Sequence, residues 1–304
     1  MSISALSGRR TAAAAFTAAL LAAGLTACGD GSGDGAREAG GTSDATGAGE
    51  TVDSSAVEHV HGLGVDPSDP DAVYVATHDG LLRYQADEGI TRVGDLRSDF
   101  MGFTVGPGGD FLASGHPAPT EDGPSALGLI RSTDRGKTWQ PVALSGEADL
   151  HTMDAGESSV VGYDAATGLL RVSDDGRTFA DVEAGSGYID IAVDPASRDT
   201  IYGTTAEAAL VVSSDGGRTF DAVADAPPLV LVDVAPDGVL VGIGIDGVVH
   251  SSDDGMEWKA RTGSADAGLQ AFTAASEGTV WMLDSRGLVR SDDGGDTFAV
   301  ADGW

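Results

Sequence analysis

One short pattern, repeated in phase, limits what this chain can fold into. Ser213-Ser214-Asp215-Gly216-Gly217-Arg218-Thr219-Phe220 reads as Ser-x-Asp-x-Gly-x-Thr-aromatic, and the pattern returns in full at Ser132–Trp139 and Ser291–Phe298. Two further copies read as imperfect: Val172-x-Asp174-x-Gly176-x-Thr178-Phe179 lacks the serine, and Ser251-x-Asp253-x-Gly255-x-Glu257-Trp258 lacks the threonine. The five aspartates, Asp134, Asp174, Asp215, Asp253 and Asp293, are spaced by 40, 41, 38 and 40 residues, the length of one four-stranded propeller blade. Each copy suits the tip of a β-hairpin: Asp and Ser side chains bond the turn's own backbone, and Gly supplies a positive φ. The aromatic residue then opens the return strand and packs between blades.

A second repeated element leads into each tip: Gly80-Leu81-Leu82-Arg83, Gly128-Leu129-Ile130-Arg131, Gly168-Leu169-Leu170-Arg171, Gly247-Val248-Val249-His250 and Gly287-Leu288-Val289-Arg290, with Ala209–Val212 as a variant. The first of these has no box behind it, because Ala86 stands in the phase of the aspartate; it marks a sixth blade. Second strands are expected at Val73–Thr77, Phe111–Gly115, Val160–Tyr163, Ile201–Thr204, Val239–Ile243 and Val280–Leu283, and innermost strands at Val60–Val65, Phe100–Val105, Leu150–Ala155, Tyr188–Val193, Leu229–Val234 and Leu269–Ala274. Short strands, evenly spaced glycine turns and no helical period give an all-β, six-bladed β-propeller over residues 56–304.

The N-terminus is a different kind of sequence. Arg9 and Arg10 precede an apolar run from Thr11 to Leu25, and Leu25-Thr26-Ala27-Cys28 closes it with small residues before the sole cysteine. Residues 1–27 read as an export signal, too short in its apolar part to span a bilayer. The arginine pair leaves both general and twin-arginine export open. With a single cysteine there is no disulfide, and the core must hold the fold. Residues 28–55 are Gly, Ser, Asp, Ala and Thr with almost nothing to bury, a flexible tether. After cleavage 15 basic residues face 48 acidic ones, a formal net charge of −33, which excludes nucleic acid and anionic headgroups as favoured partners.

The five boxes resemble the Asp-box, or BNR, repeat of sialidases, sortilin ectodomains, xyloglucanases and photosystem assembly propellers, over essentially all of 57–304. The Leu25–Cys28 stretch resembles a lipobox, which implies lipidation of Cys28 and a membrane-anchored, extracytoplasmic protein, read here as a monomer. Together with the His59-Val60-His61-Gly62-Leu63-Gly64 start, the chain resembles a group of bacterial lipoproteins commonly labelled sialidase-like or glycosyl hydrolase. The repeat is shared by enzymes and binding proteins, so it fixes fold and not function.

Chemistry is expected on the face opposite the boxes, where inner strands begin and second strands end. Aligning inner strands on Val65, Val105 and Val193 puts His61, Met101 and His151 in one layer of three consecutive blades, with Ile189 and Val230 there in blades four and five. His59 points to the same side of its strand as His61, and His78 and His116 occupy matching positions at the ends of the adjacent strands. Imidazole with thioether is a copper ligand set and imidazole with carboxylate suits zinc, so His59, His61, Met101, His151, His78 and His116 form a candidate copper or zinc site. Packed or hydrogen-bonded side chains are the plain alternative for each histidine. His250 and Met153 read as structural. The segment His116–Leu127, longer than the other turns, covers the same half of the ring. A glycoside hydrolase is the competing reading, with two carboxylates such as Asp79 and Asp149 drawn from Asp79, Asp99, Asp149, Asp164 and Asp190. Arg83, Arg131, Arg171 and Arg290 are repeat-equivalent and read as structural, which separates the chain from sialidases that hold a sugar carboxylate with three arginines. A protein-docking propeller with no small ligand is the third reading, so a metal ion, a glycan or a protein is the expected ligand under the three readings in turn.

Overall fold

The computed structural model describes residues 49–304 except Ser186. The export signal and the lipidation site Cys28 lie outside the described residues. Twenty-four strands form six antiparallel sheets, each of four strands consecutive in the chain. The first strand of every sheet is innermost, and neighbouring innermost strands contact one another around the ring, including the last against the first. These strands run Val60–Asp66, Asp99–Val105, Leu150–Ala155, Tyr188–Val193, Leu229–Val234 and Ala271–Ala274. No helix among the described residues is long and apolar enough to cross a membrane.

Six apolar clusters hold the ring, one between each pair of blades. Five of them take an aromatic side chain from the following blade's box: Trp139, Phe179, Phe220, Trp258 and Phe298. Blade one has no box, and the C-terminal Trp304 packs in its place between blades six and one, edge-on to Tyr84. Closure also uses the Tyr84 hydroxyl, which donates to the Asp302 carbonyl at 2.8 Å. Among the described residues no strand is exchanged between the first and last blades, and side-chain packing closes the circle. The segment before blade one is tied to its outer edge, where Arg92 N donates to Glu50 O and Val52 N to Ile90 O.

The boxes work as turn locks. Asp134 Oδ1 accepts the Thr138 amide at 2.8 Å and Oδ2 the Thr138 hydroxyl at 2.6 Å, while Ser132 Oγ accepts the Gly136 amide at 2.8 Å. The bonds made to Asp134, led by that of the Thr138 hydroxyl, hold its carboxyl down at about 2. In blades three and five the register differs from the sequence expectation. The accepting carboxylates are Asp175, bonded by Thr178 N at 2.7 Å, and Asp254, bonded by Glu257 N at 2.9 Å, not Asp174 and Asp253. Both boxes keep their serine, as Ser173 and Ser252. The cause is loop length. Full boxes place two successive residues at positive φ, Arg135-Gly136, Gly216-Gly217 and Gly294-Gly295, whereas the shorter boxes place one, Gly176 or Gly255. Asp174 instead pairs with Arg218 of the next box at 3.1 Å. The repeat arginines are structural: Arg83 pairs with Asp69 and Glu88, Arg131 with Asp110, Arg171 with Asp164 and Asp181, and Arg290 with Asp71 and Asp292.

Candidate metal centre

A recurring bulge builds the site. In five innermost strands one residue near the start is left unpaired: His61 between the pairs Val60–Thr77 and Gly62–Ala76, then Met101, His151, Ile189 and Val230 at the same place. A bulge re-aims a side chain, and here it sets one layer at the end of the ring away from the boxes. The strand alignment is therefore confirmed, but it lacks its sixth member. Gln270 precedes the blade-six strand, and its Oε1 accepts the Val60 amide at 2.9 Å. Counting four residues back from Ala274, as from Val65 to His61, would have found it.

His61 and His151 line the upper part of a central cavity of about 760 Å³, together with Ile189 and Gln270. Farther along the strands the lining carries Asp154, Asp190 and Asp233. Each bridges neighbouring inner strands: Asp154 accepts from Thr104 Oγ1 and Val193 N, Asp190 from Thr152 Oγ1 and Val232 N, and Asp233 from Thr273 Oγ1 and Ala274 N. Burial pushes Asp154 and Asp190 up to about 7 and raises Asp233 as well.

Two imidazole–carboxylate groups stand at the cavity's end. In the first, His78 Nδ1 lies 2.8 Å from Asp99 Oδ2, and His61 Nε2 lies 3.8 Å from Asp99 Oδ1. The His78 ring meets His61 edge-on at 4.5 Å and His59 at 5.0 Å. His59 reaches it from a positive φ of 50°, a conformation that non-glycine residues adopt at a cost and that collects at functional sites. In the second group His116 Nε2 and His151 Nε2 lie 2.9 and 2.8 Å from the same Asp149 Oδ2. The structure thus divides the six sequence-predicted ligands: His59, His61 and His78 gather with Asp99, His116 and His151 with Asp149, while Met101 takes the equivalent bulge of blade two.

The first group fits a metal ion on its own geometry. One ligand atom from each of His61, His78 and Asp99 falls within 4.8 Å of the others. Two ligands about 2.1 Å from one tetrahedral ion lie about 3.4 Å apart, close to the His61–Asp99 separation. His61 Nε2 and Asp99 Oδ1 are both buried without a hydrogen-bond partner, an arrangement that costs free energy unless something sits between them. Burial, and then the charge of His78, lower the pKa of His61, so its imidazole is neutral and offers a lone pair. Asp99 entered the sequence reading only as a hydrolytic carboxylate; among 48 acidic residues nothing local distinguished it.

Other candidates have separate duties. Asp79, 63% exposed in its side chain, pairs with Arg92 at 2.8 Å, and Asp164 caps its own turn through Ala166 N and Thr167 N. The segment after His116 is pinned to the ring by Glu121, which accepts from Arg97 N, Ser98 Oγ and Ala118 N. Although burial opposes it, these bonds hold the Glu121 carboxyl below its ordinary range.

Comparison with known proteins agrees with the fold. The BNR/Asp-box repeat family matches residues 130–141. No curated protein matches. Among solved structures, virginiamycin B lyase from Staphylococcus aureus superposes with a TM-score of 0.53 at 15% identity, over 79% of this chain and 83% of that one. YCF48 bound to D1 peptide gives a TM-score of 0.50 at 18% identity, over 79% and 81%. An ancestral GH74 enzyme gives 0.51 at 15% identity, over 77% of this chain and 36% of its own. At such identities the likeness is one of fold, and it spans enzymes and a peptide-bound propeller alike.

Proposed function

We propose that this chain is a lipid-anchored, extracytoplasmic β-propeller that binds a copper or zinc ion through His61, His78 and Asp99. The observation that carries the reading is the pair of buried, unpartnered atoms His61 Nε2 and Asp99 Oδ1, 3.8 Å apart beside the His78 ring. Imidazole and carboxylate together are a donor set for divalent copper or zinc. Asp99, bonded to His78 Nδ1, also fixes which nitrogen of that ring stays free, as outer carboxylates do for metal-binding histidines. His59 and Met101 supply a further imidazole and a thioether from the same end of the ring. No arginine or lysine pairs with Asp99 among the described residues; its ionic partners are His61 and His78. The anchor rests on Cys28 in its lipobox-like setting.

The test is metal content after loading with zinc or copper and exhaustive dialysis. The purified protein retains metal in stoichiometric amount, and a H61A/H78A/D99N variant with unchanged far-UV circular dichroism retains one equivalent less. Equal metal in the two proteins contradicts the assignment. Independently, Cys28→Ala shifts the protein out of the membrane fraction; unchanged sedimentation with membranes would refute the anchor.

A further inference from the structure

In the second imidazole–carboxylate group, the His116–Asp149 pair repeats the His78–Asp99 pair one blade further on. His116 ends the second strand of blade two as His78 follows that of blade one, and Asp149 stands immediately before Leu150 as Asp99 stands immediately before Phe100. The third member differs in origin: His151 takes the bulge of the carboxylate's own blade, where the first group has Met101, whereas His61 takes the bulge of the blade before. We propose that His116, Asp149 and His151 form a second divalent-cation position, separate from the first. The inference rests on the metal-binding reading above and extends it to two ions.

The Asp149 side chain carries the argument. It is nine-tenths buried, and both imidazoles approach the same oxygen, Oδ2. Oδ1 is left buried with no hydrogen-bond partner. A carboxylate oxygen in that state is expensive, and no arginine or lysine neutralises Asp149 among the described residues, where its ionic contacts are the two histidines. A divalent ion would replace the protonated His116 as the counter-charge and would also satisfy Oδ1. The rings are prepared for it: His116 Nδ1 is taken up by the Ser125 carbonyl at 3.0 Å, which leaves Nε2 as the nitrogen that faces the carboxylate. When the ion enters, His116 releases its Nε2 proton to solvent and His151 carries its single proton on Nδ1, so both Nε2 lone pairs become available. His116 and His151 are 47% and 41% exposed in their side chains, which leaves both rings room to close around an ion. The Ser125 carbonyl belongs to the segment pinned by Glu121, so that segment acts as the support of the second position.

The experiment is a zinc titration of the purified full-length protein by calorimetry, with bound metal counted by elemental analysis. Wild type is expected to take up two equivalents. Asp149→Asn and, separately, His116→Gln should each take up one, while Asp99→Asn should also take up one but retain the ion at Asp149. A double D99N/D149N variant should take up none. One equivalent in wild type overturns the second position and leaves the first intact; none in wild type overturns both readings. Two equivalents in D149N, or none, also overturn the proposal, because the ions then sit elsewhere or share one centre.

Discussion

Asp99 shows how a single carboxylate can organise a site built from different blades. It stands at the start of blade two but serves His61 and His78 of blade one, so its role depends on blade adjacency and not on any local pattern. The histidines were legible because they are six in 304 residues and could be aligned strand against strand. Asp99 was hidden by the abundance of acids, and Gln270 by the absence of an obvious donor type in blade six. If Asp99 both binds an ion and orients His78, its replacement should cost more than one ligand. Asp99→Asn is expected to weaken zinc affinity at the first position by about 100-fold or more, enough to remove that equivalent from a titration, while His59→Ala, a flanking change, costs less. A larger loss from H59A than from D99N, measured by competition with a chelating dye, would reverse their ranking.

At the scale of elements, the boxes and the strands were read with unequal success, for a physical reason. Strand positions follow from alternation and apolar content, which survive small changes in loop length, and the inner strands agree with expectation to within two residues. Box register depends on how many residues take positive φ, and counting from the glycine misplaced it at Asp174 and Asp253 where only one such residue is used. The serine that ends the third strand is the better ruler, because Ser132, Ser173, Ser213, Ser252 and Ser291 are all buried and all bond their aspartate. The long turn after His116 is a second element whose function was only half visible. Its length was evident, but its anchoring by Glu121 to Arg97 and Ser98 was not. Glu121→Ala removes the acceptor of three bonds, each worth about 1 kcal/mol net. Hydrogen exchange over 117–126 should quicken at least several-fold while the inner strands stay protected; uniform protection would show that other contacts hold the segment.

Across the whole molecule the ring is acidic inside as well as out, and its stability should depend on pH in two opposing ways. Asp154 and Asp190 are raised by burial to about 7 in the fold from about 3.9 in an unfolded chain. Their contribution is fully present below about pH 4 and is lost as pH rises towards 7. Box carboxylates such as Asp134, Asp175, Asp215 and Asp293, held at about 2 by their turn bonds, contribute above about pH 4 and lose it as pH falls towards 2. Thermal stability should therefore peak between these limits. Asp154→Asn, whose amide oxygen still accepts from Val193 N while its NH2 donates to the Thr104 hydroxyl, without the charge, should raise the melting temperature at pH 8 and change it little at pH 5; an equal shift at both would show that Asp154 titrates normally. The same ring geometry gathers His61, His78 and Asp99 from two blades, and that gathering is what the ion requires. It is tested most directly by an anomalous-difference map from crystals loaded with zinc and measured at its absorption edge. A peak is expected between His61 Nε2 and Asp99 Oδ1, within bonding distance of His78; a map with no peak there, in crystals that bind zinc elsewhere, would contradict the assignment.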